Sequence, residues 1–309
     1  MTRGPAAAAL PPPPAVALEV TAPRAAFGGS LSGGWQALRR RWACLGPDCG
    51  ERYGIRAWCK LPARVQLQEG WCCSPECFEA AFELQARRLI HAAGPRPVRT
   101  HRIPLGLLLL SHGLISQAQL RDGLEAQKER GGRLGEWLVR QGAVGENEIA
   151  ATIGMQWARP TFPLADSPGW QACRDWVPLA ANEVLGMLPL YFAAAQRRLY
   201  VGFTQVVDFN ALAAVGDMLG CATEACIVAD GAWEAAIEHL RTVPGPAGVE
   251  SIDLEEMDSA AEIAGVARQY ARYAEARQVR MAAIGPFLWV RIRGQRVIHL
   301  TFRPRRRAH

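Results

Sequence analysis

The chain has 309 residues, of which 50% are hydrophobic and 21% charged, with a formal net charge of +6. That mixture supplies ordinary packed cores, which excludes fibrous and wholly disordered readings. The length suits two or three domains rather than one.

Residues 1–38 are rich in Ala, Pro and Gly, carry no helical or strand period, and read as a disordered tail. The Pro11–Pro14 tract breaks the one candidate signal core, Ala6–Leu10, and no apolar run approaches the ~18 residues of a membrane span. The chain therefore reads as cytoplasmic, with no membrane span. Residues 39–93 form a cysteine-rich, zinc-binding-like module that ends in a helix. There Ser74 suits the N-cap and Pro75 the first helical position, while Phe78, Phe82 and Leu84 or Leu89 can face a small core. Gly94–Pro97 reads as a linker.

An internal repeat follows. Laying Leu105–Gln127 over Leu134–Gln156 pairs Gly106 with Gly135, Leu109 with Leu138, Gly113 with Gly142 and Ile115 with Val144. The same offset of 29 residues pairs Leu120 with Ile149, Leu124 with Ile153 and Gln127 with Gln156. One supersecondary unit is used twice, each copy a short helix, a glycine stop and a longer helix. Ser116 and Gln119 make a capping-box signature for the first long helix; Gly145 and Glu148 keep the position without the cap side chain.

After Trp157 the period changes. Pro160 and Pro163 end the helical pattern, and a short helix spans Leu179–Leu185. Met187–Ala193 and Arg198–Phe203 have strand character around a turn at Gln196–Arg197. Asp208 can cap a helix running to Leu219 and stopped by Gly220; Ala222–Val228 reads as a strand, and Asp230 can cap a further helix to about Arg241. Pro244–Gly248 is a second linker. Residues 250–303 then hold a long helix, Ser259–Ala276, and three strand-like runs, Val279–Ile284, Phe287–Arg293 and Arg296–Phe302. The expected fold class is α+β and multidomain: a small zinc module, a tandem helical-hairpin repeat (100–157) with an α+β half (176–241), and a small C-terminal helix-and-strands unit.

Chemistry enters through the cysteines. Cys44 and Cys49 form one close pair and Cys73 and Cys77 another, a pattern that fits a structural four-thiolate Zn2+ site with no coordination position left for water. Cys59 and Cys72 are spares, and vicinal Cys72–Cys73 leaves the assignment open by one residue. Cys73 is preferred because it directly precedes the helix cap. The bland alternative is a set of unpaired cysteines. A phosphate-binding loop is excluded, since it needs Gly-Lys-Ser/Thr and the chain's two lysines are Lys60 after Cys59 and Lys128 after Gln127. The histidines show no metal spacing and no Ser/His/Asp motif is present, so no enzyme activity is expected. The other 33 basic residues are arginines, with a cluster at Arg303–Arg307. Without aromatic–basic interleaving, nucleic-acid binding is the weakest of the functional readings.

For the repeat, leucines at helical spacing and glycine stops explain much as packing. Gly106 and Gly135, at the start of each short helix, also permit a flat ligand to approach the backbone, and two equivalent copies suit a two-fold guest.

Arg133-Leu134-Gly135 through Gln156, with its upstream copy, resembles the N-terminal domain of type II secretion and type IV pilus assembly ATPases, the MshE-type N-terminal domain. The resemblance covers about residues 100–241 and continues through Leu188-Pro189-Leu190 and its hairpin. It implies a cyclic di-GMP site with Arg133, Leu134, Gly135, Leu138, Gly142, Ile149, Ile153 and Gln156 from the second copy. From the first it implies Leu105, Gly106, Leu109, Gly113, Leu120, Leu124 and Gln127. The first copy departs at the leading arginine, which here is Pro104, with Arg102 two residues away; the family's alanine in each long helix is Gly123 and Thr152. The chain is accordingly expected to be a stand-alone domain without the ATPase motor. It would be a non-catalytic adaptor sensing cyclic di-GMP for a secretion, pilus or motility machine. The alternatives are a ligand-free interaction scaffold and, third, a zinc-module nucleic-acid binder.

Overall fold

The computed structural model describes residues 43–50, 65–68, 70–92, 102–257 and 259–304. The tail at 1–38, the Gly94–Pro97 linker, Cys59 and the basic run after Pro304 lie outside the described residues. The architecture is α+β and multidomain, with helices packed on two sheets.

The first strands and helix among the described residues are a small hairpin, β1 (Val65–Leu67) and β2 (Gly70–Cys72), and α1 (Pro75–Ala92). The Ser74 hydroxyl accepts the Cys77 N–H at 3.2 Å, so Ser74 begins this helix as its side chain suggests. Phe78 and Phe82 are buried while Leu84 is exposed, which leaves Leu89 as the other inward leucine.

The repeat gives four helices: α2 (Leu105–Ser111), α3 (Gln117–Arg130), α4 (Leu134–Arg140) and α5 (Glu146–Trp157). Gly113 and Gly142 stop the short helices at φ +68° and +67°, with open space around them, so backbone handedness is what each site requires. Ser116 and Gln119 form the capping box; at α5 the Glu148 carboxylate accepts the Gly145 N–H at 2.8 Å.

The two copies pack crosswise: α2 lies against α5, and α4 against α3. A Cβ on Gly106 would sit 3.1 Å from Leu134 Cδ2 of the other copy, and one on Gly135 would sit 3.6 Å from Leu105 Cδ2. The glutamines are reciprocal as well. Gln127 Nε2 donates to the Gly132 carbonyl at 3.1 Å and Gln156 Nε2 to the Ile103 carbonyl at 2.6 Å, positions again 29 apart. Each copy is thus tied at its end to the start of the other. That is a pseudo-two-fold.

Beyond two 3-10 turns come α6 (Leu179–Leu185), β3 (Met187–Ala193), β4 (Arg198–Phe203), α7 (Phe209–Leu219), β5 (Ala222–Ile227) and α8 (Asp230–Thr242). The three strands form a sheet in the order β3-β4-β5, antiparallel then parallel. Asp208 caps α7 through the Asn210 and Ala211 N–H groups. Asp230 does not cap α8: Ala229 holds the N-cap position, and the Asp230 carboxylate turns to Gln205 and Arg133 instead.

The chain finishes with β6 (Val249–Met257), α9 (Ala260–Tyr273), β7 (Gln278–Ile284), β8 (Phe287–Arg293) and β9 (Val297–Pro304). These strands and the first hairpin share one six-stranded sheet, ordered β2-β1-β7-β8-β9-β6. The cysteine-rich segment and the C-terminal unit, which read as separate along the chain, therefore have a common core. Its cause is burial. Leu67, Phe78 and Phe82 join Leu288, Val290, Ile292 and Ile263 in one apolar cluster, and α1 packs along α9. The opposite face of β7 and β8 presents Ala282, Ile284, Phe287 and Trp289 to the cluster that includes α7 and the repeat. β8 is therefore apolar on both faces at its start, and Trp289 is fully buried. Alternation alone would have left one side to water.

Candidate ligand cleft and metal centre

Cys44 and Cys49 flank a tight loop, while Cys73 and Cys77 enter α1. Their four sulfurs all lie within 4.8 Å of one another, with Cys49–Cys73 and Cys73–Cys77 both at 3.5 Å. A zinc with Zn–S of about 2.3 Å sets tetrahedral sulfurs about 3.8 Å apart, so the cluster is of the right size for one metal ion. Gly46 is required by this closure, because a Cβ there would meet Cys77 Sγ at 2.8 Å. The Gly46 and Cys73 N–H groups both donate to Cys44 Sγ at 3.4 Å. Burial raises the Cys44 thiol pKa, but those amides and the neighbouring cysteines outweigh it and the net shift is downward. Cys72 is different. Strand alternation turns it into the core at 2% exposure, and burial first, then the nearby cysteines, push its thiol up to about 12.

The crossed repeat leaves a cleft of about 420 Å³, within the size range of small-molecule sites. Both copies line it. Leu105 and Gln127 come from the first; Arg133, Leu134, Gly135, Ile149, Ile153 and Gln156 come from the second. Trp157, Gln205 and Val206 complete the wall, together with Arg102. The Arg102 guanidinium stacks 3.5 Å over the Trp157 ring and donates to the Gln156 carbonyl at 2.6 Å. The arginine missing at Pro104 thus has a counterpart in the cleft, reaching it from two residues upstream. Arg133 stands between this cleft and an adjoining hollow of about 170 Å³, with Asp230 at 3.5 Å and Glu136 at 4.0 Å.

The remaining residues of the repeat pattern lie elsewhere. Leu109 and Leu138 are fully buried core. Gly113 and Gly142 are helix stops, and Leu124 is 47% exposed. Gly106 does not line the cleft: the space of its missing Cβ is taken by Leu120 Cδ1 at 2.7 Å. The equivalent distance from Gly135 to Ile149 Cγ2 is 3.3 Å, and that glycine both packs and lines the wall. Trp157 and Gln205 had no signal in the repeat; only proximity in space selects them.

No protein-family model matches the chain. It is similar to the type IV pilus assembly ATPase PilB of Thermus thermophilus, 28% identical over 157 residues, which covers 49% of this chain and 18% of that protein. It is also similar to PilB of Myxococcus xanthus, 39% identical over 62 residues, covering 20% and 11% respectively. The chain thus spans less than a fifth of these relatives. Its structural neighbours include MshE solved with cdg (TM-score 0.37, 24% identity, 45% of this chain and 99% of the other). The N-terminal domain of XpsE is another (TM-score 0.31, 19% identity, 50% and 94%). Among the described residues no helix is long and apolar enough to cross a membrane.

Proposed function

We propose that this chain is a non-catalytic adaptor that senses cyclic di-GMP in the cleft of the tandem repeat and reports to a secretion, pilus or motility machine. The observation that carries the reading is that both copies contribute to one cleft instead of facing apart. Cyclic di-GMP is a two-fold dianion with two flat bases. Arg133 and Arg102 supply two guanidinium planes, Arg102 held flat against the buried Trp157 ring. The partial similarity to pilus assembly ATPases points to the same class of machine. In the cysteine cluster we infer a structural Zn2+, held by Cys44, Cys49, Cys73 and Cys77, whose chemistry is to fasten the loop at Cys44–Cys49 to the start of α1.

Calorimetric titration of the whole chain with cyclic di-GMP tests the sensor reading. Micromolar binding that Arg133→Ala weakens by about tenfold or more, the loss of one charge-assisted contact, supports it. A chain that takes up no ligand at high concentration is instead a scaffold. The observation favouring that second reading is the occupation of the Gly106 space by Leu120.

A further inference from the structure

Neither the cleft nor the cysteine cluster uses a stripe of arginines on the six-stranded sheet. Arg280 of β7 is the cross-strand partner of Arg291 of β8, and Arg293 follows two residues later, so all three leave the sheet on one face. His299 of β9 is the partner of Arg291 on that same face. Several other arginines sit against a carboxylate: Arg198 with Glu224, Arg241 with Glu183, Arg268 with Glu79, Arg296 with Glu250. Among the described residues Arg280, Arg291 and Arg293 have no such partner.

What they do have is the end of α7. Arg280 donates to the Asp217 carbonyl and Arg291 to the Met218 carbonyl at 3.4 Å. A helix C-terminus carries only about half a negative charge, well short of balancing three guanidinium groups. The Arg293 side chain makes no hydrogen bond among the described residues, and Arg291 Nε is buried without a partner. Burial first, then Arg293 and Arg280, lower the Arg291 pKa to about 10.

His299 adds an orphan donor. It is 1% exposed, and its Nδ1 accepts the Trp289 indole N–H at 3.1 Å, which places the proton of the neutral ring on Nε2. Nε2 is buried with no partner. Unbalanced cations and an unsatisfied N–H on one face together call for an anion rich in acceptor oxygens.

We propose that Arg280, Arg291, Arg293 and His299 form a binding site for a phosphate-class oxyanion, free or as a monoester, on the sheet beside the end of α7. A tetrahedral oxyanion presents several oxygens to the guanidinium forks and one to the imidazole N–H. A nucleic-acid strand fits less well, because the aromatic rings of this face, Trp289 and Phe287, are buried and offer no base a stacking surface.

The test titrates the whole chain, in chloride buffer, with inorganic phosphate and separately with phenyl phosphate, following heat and the ring ¹H–¹⁵N signals of labelled histidine. The expected result is one phosphate per chain, a shift of the His299 Nε2 signal, and at least tenfold weaker binding in Arg293→Gln. That variant removes a guanidinium that makes no side-chain hydrogen bond or ion pair among the described residues. Arg133→Ala leaves the affinity unchanged, which separates this site from the cleft. Binding of both probes assigns a monoester-accessible site, and binding of phosphate alone assigns a closed site for the free ion. Kd values above about 10 mM for both probes, or an affinity indifferent to Arg293→Gln, overturn the proposal.

Discussion

Truncating Leu109 and Leu138 to alanine tests whether the two copies of the repeat are equivalent. Both side chains are fully buried, occupy positions 29 apart, and sit in the same apolar cluster. Leu→Ala in such a setting loses the transfer energy of the removed carbons plus the cavity left behind, about 3–4 kcal/mol where the surroundings cannot collapse. The neighbours here are two crossed helix pairs held by the reciprocal Gln127 and Gln156 bonds, so collapse is restricted and each substitution should cost about that amount. Leu124→Ala, at 47% exposure, is the control and should cost less than about 1 kcal/mol. Urea denaturation followed by tryptophan fluorescence gives all three values, since Trp137 and Trp157 report from within the repeat. A full cost at Leu138 beside a negligible one at Leu109 would falsify the pseudo-symmetric arrangement.

Three further outcomes follow from particular contacts. Gly106→Val places carbons against Leu120 and Leu134 and should destabilise the chain by about 1–3 kcal/mol through overpacking, read by the same denaturation series; a stabilised variant would mean that the helices are free to separate. Metal analysis should find one zinc per chain, lost in Cys49→Ser and retained in Cys72→Ser, because the Cys72 sulfur points into the core; loss of metal in Cys72→Ser would exchange their roles. His299 is held neutral, with burial first and Arg291 second pushing its pKa down from 6.5 to about 3. Below about pH 6.5 the unfolded chain takes up a proton that the folded chain refuses, so stability falls as pH drops toward 3, by about 1.4 kcal/mol per unit in the steep part. His299→Gln should remove this slope between pH 6.5 and 5; an unchanged slope would assign it to other groups.

Local pattern made much of the fold legible. Met187–Ala193, Arg198–Phe203 and Leu179–Leu185 are readable as elements because their alternation or helical spacing is uninterrupted and their ends carry turn residues. The repeat is legible because both copies preserve glycine stops that only a positive φ explains. Other features depend on contacts far along the chain. The strand Val249–Met257 is an edge strand rich in Glu and Asp, so its Ile252 and Leu254 are too sparse to announce it. The pairing of Gln66 with Gln278 joins segments about two hundred residues apart, and no local signal records it. Asp230 has the residue type of an N-cap, yet Arg133 and Gln205 draw its carboxylate away. At the candidate site the spacing selected four cysteines whose sulfurs do converge. The repeat residues divide into wall and core, and only three-dimensional position separates Gly135 from Gly106.

Whether the duplicated hairpin builds one shared site for a two-fold ligand decides between a sensor and a scaffold. Titrating the whole chain with cyclic di-GMP, alongside Arg102→Ala and Arg133→Ala, measures that directly. The expected result is a single ligand per chain in the wild type and a loss of about tenfold or more from either arginine, both of which line the cleft. Binding that depends on Arg133 and is indifferent to Arg102 would mean that only the second copy holds ligand, and no binding at all would leave the cleft without its proposed guest.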